Sequence, residues 1–250
     1  MTPPRPAPAS APASRWTTDL GLRIRRFFLL KAVGTTVFTW LFFIGYFHLL
    51  REPVRPVAVM PLTALDAWIP FQPAAVVAYF SLWVYVGLAP GLQLTFRELL
   101  SYGLWVGALC LTGLGFFYLW PSQIPVMPRE TDFPGFEILR GVDAAGNACP
   151  SMHVAVAIFT ALWVDHVFRV VRAPAWLRAA NAAWFVAIAW STLAVRQHVV
   201  LDALAGALLG IAFAVPSLLL RPRPTQGPTV AADIMESRRP RVDGGLPRGG

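Results

Sequence analysis

The chain has 250 residues, of which 56% are hydrophobic and 14% charged, and its mean hydropathy is +0.55. A soluble domain of this size carries about a quarter charged residues, so the composition excludes a water-surrounded globule and points to lipid as the solvent. The net charge of +8 is distributed between apolar runs and has no zinc-finger, helix-turn-helix or aromatic RNA-binding pattern beside it, which excludes nucleic acid as a partner.

In chain order, a Pro/Ala tract over Met1–Ser14 opens a basic, Pro-rich tail expected to be disordered over residues 1–27. Six apolar runs then reach membrane-spanning length, near 32–50, 72–92, 99–120, 151–170, 178–196 and 200–220. The first lacks a small-residue cleavage pattern and reads as a permanent anchor. The fourth contains Asp165 in its last turn, four residues before Arg169, its natural ion-pair partner. Residues 179–220 are too long for one crossing, so a tight turn near Val195–Val200 must divide them. The fold class is therefore all-α, a polytopic membrane protein built as a six-transmembrane-helix bundle over residues 28–221. A second tail, 222–250, is rich in Pro, Gly and charge and is expected to be disordered.

Sixteen of the basic residues fall on one set of loops and tails and five on the other. The positive-inside rule puts the sixteen, with both termini, in the cytoplasm. Twenty arginines against one lysine, with abundant Ala and Pro, point to a GC-rich bacterial genome, and so to an inner membrane. Cys110 and Cys149 are expected at different depths, which argues against a disulfide between them.

With this topology, the chemistry-bearing residues collect at the non-cytoplasmic face. "WPSQIPVMPRE" carries Arg129, "CPSMH" opens the fourth span, and "STLAVRQHVVLD" links the fifth and sixth. His198 and Asp202 are four apart, so a helix stacks one over the other. The carboxylate then fixes the imidazole tautomer and leaves a ring nitrogen as nucleophile or base. Pro150 is expected in a helix's first turn and Ser151 at its N-cap or first position, where free amides suit a phosphate. Arg129 and Arg196 can clamp phosphate oxygens, and His153 can protonate a leaving alkoxide. Ionisable residues at membrane depth are functional by default.

These residues resemble the type 2 phosphatidic acid phosphatase superfamily, whose signature is a basic first motif, then Pro-Ser-x-His, then Ser-Arg-x5-His-x3-Asp. "PSMH" at 150–153 matches the second, and Ser191, His198 and Asp202 match the third in spacing. Thr192 stands where the family has arginine, and the first motif's lysine is absent. Both departures resemble the branch of inositol phosphorylceramide synthases and their bacterial relatives, as do "PSQIPVMPR" and "LDAWIPFQPAAVVAY". Arg196 then replaces the charge missing at Thr192.

The resemblance implies phosphoryl transfer without metal or cofactor. His198 attacks phosphorus, oriented by Asp202; His153 protonates the departing lipid alcohol; water or a second alcohol takes the phosphoryl group. Arg129, Arg196, Ser151 and Ser191 would bind the phosphate oxygens. The expected substrate is a lipid phosphate ester in the bilayer, with sphingolipid phosphotransfer the branch-specific form. A polyprenyl diphosphate phosphatase is the alternative enzyme. A transporter or scaffold is the rival from another class, disfavoured because the polar residues gather at one interface rather than the midplane.

Overall fold

A computed structural model describes residues 16–128, 131–133, 136, 139 and 146–222. It confirms an all-α polytopic membrane protein. A short helix, α1 (Trp16–Arg25), precedes the long α2 (Phe28–Arg51). The part of the N-terminal tail described here is thus helical rather than disordered, because Trp16 and Leu20 pack against the helical core. Phe27, with φ 56°, turns the chain between the two helices. Lys31 Nζ then ties them to the next helical segment, donating to the carbonyls of Arg23 (2.7 Å) and Gly91 (2.9 Å).

A strand β1 (Ala58–Val59) and the short α3 (Ala64–Trp68) lead into Pro73–Gly91, a continuous helical stretch containing α4 (Val76–Tyr85) and α5 (Leu88–Gly91). Next come α6 (Phe96–Leu119) and a second strand, β2 (Ser122–Gln123). The reciprocal bonds of Thr95 with Glu98 start α6, a capping box legible as Thr-x-x-Glu. The last three helices are α7 (Met152–Val170), α8 (Ala175–Ala194) and α9 (Val200–Leu219).

Among the described residues, five segments are long and apolar enough to cross a membrane: Phe28–Arg51, Pro73–Gly91, Phe96–Leu119, Met152–Val170 and Val200–Leu219. The expected fifth span, α8, has twenty residues but is not among them. Its polar residues are occupied by specific partners. Arg178 Nε meets Asp165 at 2.7 Å, and that carboxylate also holds Arg169. The Asn181 side chain accepts from Tyr85 Oη at 2.8 Å and donates to the Ala161 carbonyl at 3.0 Å. Such bonds between helices satisfy polar groups that hydrocarbon cannot.

The core lies where α7 packs against α9 and α8, with Phe159, Trp163 and Val164 buried. Two glycines of α9 allow a backbone-to-backbone approach. A Cβ on Gly206 would stand 2.2 Å from the Ser151 carbonyl oxygen, and one on Gly210 2.4 Å from that of Ala155. Small residues at such crossings are how membrane helices gain close packing. Farther along the pair, Trp163 Nε1 donates to Ser217 Oγ at 2.9 Å.

At one end of the bundle the connecting segments are stitched together. β1 pairs in parallel with β2, and Gln123 bridges to Gly146. Ala148 N donates to the Ser122 carbonyl at 3.0 Å and Cys149 N to Ser122 Oγ at 2.9 Å. The approach to α7 is thereby pinned to a buried serine. Cys110 and Cys149 are free thiols, both buried.

Candidate active site

The turn between α8 and α9 is set by backbone bonds. The amides of Gln197 and His198 both donate to the Thr192 carbonyl, at 3.0 and 3.1 Å, and Arg196 takes a left-handed conformation with φ 57°. α9 then begins with Asp202 in its first turn. One oxygen of this fully buried carboxylate accepts from Val199 N at 2.8 Å; the other meets His198 Nδ1 at 3.0 Å. A carboxylate there keeps the proton on Nδ1 and turns the Nε2 lone pair outward. The same residue therefore starts the helix and orients the ring.

α7 brings the second imidazole. Ser151 caps it, its Oγ accepting from Val154 N at 3.3 Å, and Ser151 N donates to the Asp202 carbonyl at 2.9 Å. Pro150 precedes the cap instead of lying in the first turn, because the helix begins only at Met152. His153 follows in the first turn, its ring centroid 6.2 Å from that of His198. Tyr79 of α4 stacks on His153 at 4.1 Å and 18°, and Trp83 meets it edge-on at 5.6 Å. His153 Nε2 is buried with no hydrogen-bond partner. A buried polar atom left in this state is usually met by a ligand or water.

Both imidazoles line a cavity of about 720 Å³, within the range of ligand pockets. Asn147 and Gln197 border its polar end.

The other expected site residues are placed differently. Arg129 lies outside the described residues. Ser151 and Ser191 are fully buried and do not line the cavity. The first caps α7, and the second donates to the Ile188 carbonyl at 2.7 Å, as a hydroxyl inside a helix commonly does. Arg196 does not line the cavity: its guanidinium donates to the Pro128 carbonyl and lies over the Phe71 ring at 5.3 Å. Thr192 is fully buried, with Oγ1 donating to the Ala189 carbonyl at 2.8 Å. Among the described residues, no arginine lines the cavity and no cluster of three His, Cys, Asp or Glu side chains is placed to hold a metal ion.

Tyr79, Trp83 and the role of Asp66 are not legible in the sequence. Asp66 Oδ1 accepts from Val200 N at 2.8 Å, while its other oxygen holds Thr63 N and Oγ1, each at 2.7 Å. Tyr79 and Trp83 stand four apart, an aromatic face available as a signal but indistinguishable by pattern from lipid packing.

A sequence model of the PAP2 superfamily matches residues 32–226, most of the chain. The chain belongs to the PAP2 superfamily. Membership carries a lipid phosphatase-type activity in general terms, acting on a lipid phosphate in a membrane. No curated protein and no solved structure matches this PAP2 chain.

Proposed function

We infer that this PAP2 protein transfers the phosphoryl group of a lipid phosphate ester through a phosphohistidine on His198. The carrying observation is the His198–Asp202 pair facing an unpartnered His153 across one cavity. In the first step the His198 Nε2 lone pair forms a bond to phosphorus as the bond from phosphorus to the lipid oxygen breaks. His153 Nε2 gives its proton to that oxygen. In the second step a water or alcohol oxygen takes the phosphoryl group from His198 and returns a proton to His153.

Residues 28–221 form the catalytic unit in this reading, flanked by cytoplasmic tails 1–27 and 222–250. The histidines face the non-cytoplasmic side of a bacterial inner membrane, a placement supported by the basic excess on the opposite loops. Ser151 and Ser191 serve through their helix ends, and Arg129 supplies the phosphate-binding charge. Arg196 holds the carbonyl immediately before Arg129, so it positions that loop rather than the phosphate. Thr192 and the "PSQIPVMPR" stretch favour the inositol phosphorylceramide synthase-like branch and an alcohol acceptor. Hydrolysis of a polyprenyl diphosphate shares every step except the acceptor and leaving group.

The test compares alkyl and aryl phosphate esters with purified protein in vesicles. An aryl oxide leaves without a proton, so His153→Ala should lose about a hundredfold or more on the alkyl ester and much less on the aryl one. His198→Ala should lose both. Full activity of His198→Ala on either ester would remove the nucleophile from the scheme.

A further inference from the structure

The cavity that holds the histidines does not end near them. Its wall follows α2 turn after turn, from Tyr46 and Phe47 beside the imidazoles down to Gly34 and Lys31. Sixteen helical steps separate Lys31 from Phe47, about 24 Å at about 1.5 Å each. The hydrocarbon core of a bilayer is about 30 Å thick, so one leaflet supplies about half of that. A cavity of this length, with one end at the site of phosphate chemistry, passes the midplane.

Its lining is mostly hydrocarbon and aromatic, and at its far end the helix ends are tied together. The Lys31 ammonium is committed to the Arg23 and Gly91 carbonyls, and Arg23 donates to the Leu92 carbonyl at 3.2 Å. On the opposite wall α6 contributes Leu99 and Gly103 at the same level. Gly34 and Gly103 both face open space: a Cβ on either would meet nothing within 4 Å, and neither has a left-handed backbone. Both glycines are exposed and line the cavity, so leucines there would occupy part of its inner half.

We propose that this cavity holds a hydrocarbon chain of the lipid substrate past the bilayer midplane, with Gly34 and Gly103 setting the chain length accepted. The inference rests on the phosphoryl-transfer reading for the position of the headgroup, since phosphate at the histidines directs the chain toward Lys31. It predicts selectivity that a shallow interfacial site would lack, because methylenes beyond the leaflet's depth still add contact inside the protein. A methylene exchanged from lipid tails into such a lining gains improved packing, so the selectivity follows from fit along the cavity.

The test uses His198→Ala protein in phosphatidylcholine vesicles, so that no turnover is required. The probe is an oleoyl-length alkyl phosphate carrying a photoreactive diazirine at its chain end. Adducts should map to 30–34 and 99–103, and disappear with excess unlabelled alkyl phosphate but not with the neutral alcohol of equal chain length. In Gly34→Leu and Gly103→Leu the adducts should move toward Phe43 and Trp83. With active protein, the same variants should slow turnover of oleoyl lysophosphatidic acid several-fold more than turnover of the hexanoyl form. Adducts at the inner end that ignore the phosphate competitor, or that stay in place in both leucine variants, would overturn the proposal. Equal loss on long and short chains would overturn the length-setting role. Specific inner adducts together with an active His198→Ala would instead retire the nucleophile and leave the chain site standing.

Discussion

The imidazole of His153 lies nearly flat on the ring of Tyr79, 4.1 Å between centroids and 18° between planes, while Trp83 closes its edge. Two aromatic walls leave the ring little freedom, and its Nε2 points to no protein partner. Ring packing orients this imidazole, in contrast to His198, whose Nδ1 is held by a carboxylate. A general acid misplaced by an ångström loses about a hundredfold in rate. Tyr79→Ala should accordingly lower kcat by about ten- to a hundredfold, while Tyr79→Phe, which preserves the stacked face, stays near the parent. Steady-state rates on an alkyl phosphate separate the two. Equal damage in both variants would move the role from the ring to the hydroxyl.

The distance between the two histidines depends on a glycine. Gly206 lets α9 approach the Ser151 carbonyl so closely that a methyl group there would stand 2.2 Å from it. Relief must come from backbone, since Ser151 N is itself bonded to the Asp202 carbonyl. Gly206→Ala should cost about 1–3 kcal/mol, as overpacking does, and separate His153 from His198. Gly91→Ala, with nothing within 4 Å, is the matched control. Thermal unfolding in detergent and phosphate release should both fall in the first variant and neither in the second.

The parts of this arrangement visible in sequence were those written locally. His198 and Asp202 are bonded because they are four apart at a helix start; Ser151 caps α7 because serine precedes an apolar run; Asp165 found Arg169 one turn on. The turn expected near Val195–Val200 lies between the ends of α8 and α9. Contacts across the bundle were not legible. Tyr79 and Trp83 sit in a run where every aromatic residue looks equally lipid-facing, and only packing picks those that touch His153. The same holds for Arg196: its charge is visible in sequence, while its partners, Pro128 and Phe71, lie on other segments. The helical state of Trp16–Arg25 was hidden by a composition resembling the tail, because docking onto the core stabilises it. α8 was legible by length, while Arg178 and Asn181 lower its apolarity in favour of bonds to α7 and α4.

Cys149 is near enough to the site to be mistaken for part of its chemistry. Burial, and secondarily the Asp202 charge, push its thiol up to about 11. A raised thiol pKa keeps the neutral form through physiological pH and delays the thiolate until the pH approaches that value. The thiolate is the reactive species. Iodoacetamide at neutral pH should therefore leave both activity and the mass of the Cys149 peptide unchanged, with labelling rising only in strongly alkaline buffer. Rapid modification at neutral pH, traced by peptide mass, would contradict the burial of this thiol.

Asp66 joins the site from 134 residues away in sequence, accepting the Val200 amide at the first turn of α9. That amide is one of the orphan donors of a helix start, and Asp202 satisfies its neighbour at Val199. Two carboxylates thus share the work: Asp202 takes one amide and the imidazole, and Asp66 takes the next amide while fastening α3 through Thr63. Removing the Asp66 side chain leaves the Val200 donor without its acceptor at a half-buried helix start, which costs about 0.5–2 kcal/mol. The strain falls on the turn that carries His198, so kcat should drop along with stability. Asp66→Asn keeps an oxygen for Val200 and should retain more of both than Asp66→Ala. Unfolding temperature and kcat for the three proteins decide it: if Asp66→Ala matches the parent in both, the α3 carboxylate has no part in holding the turn that carries His198.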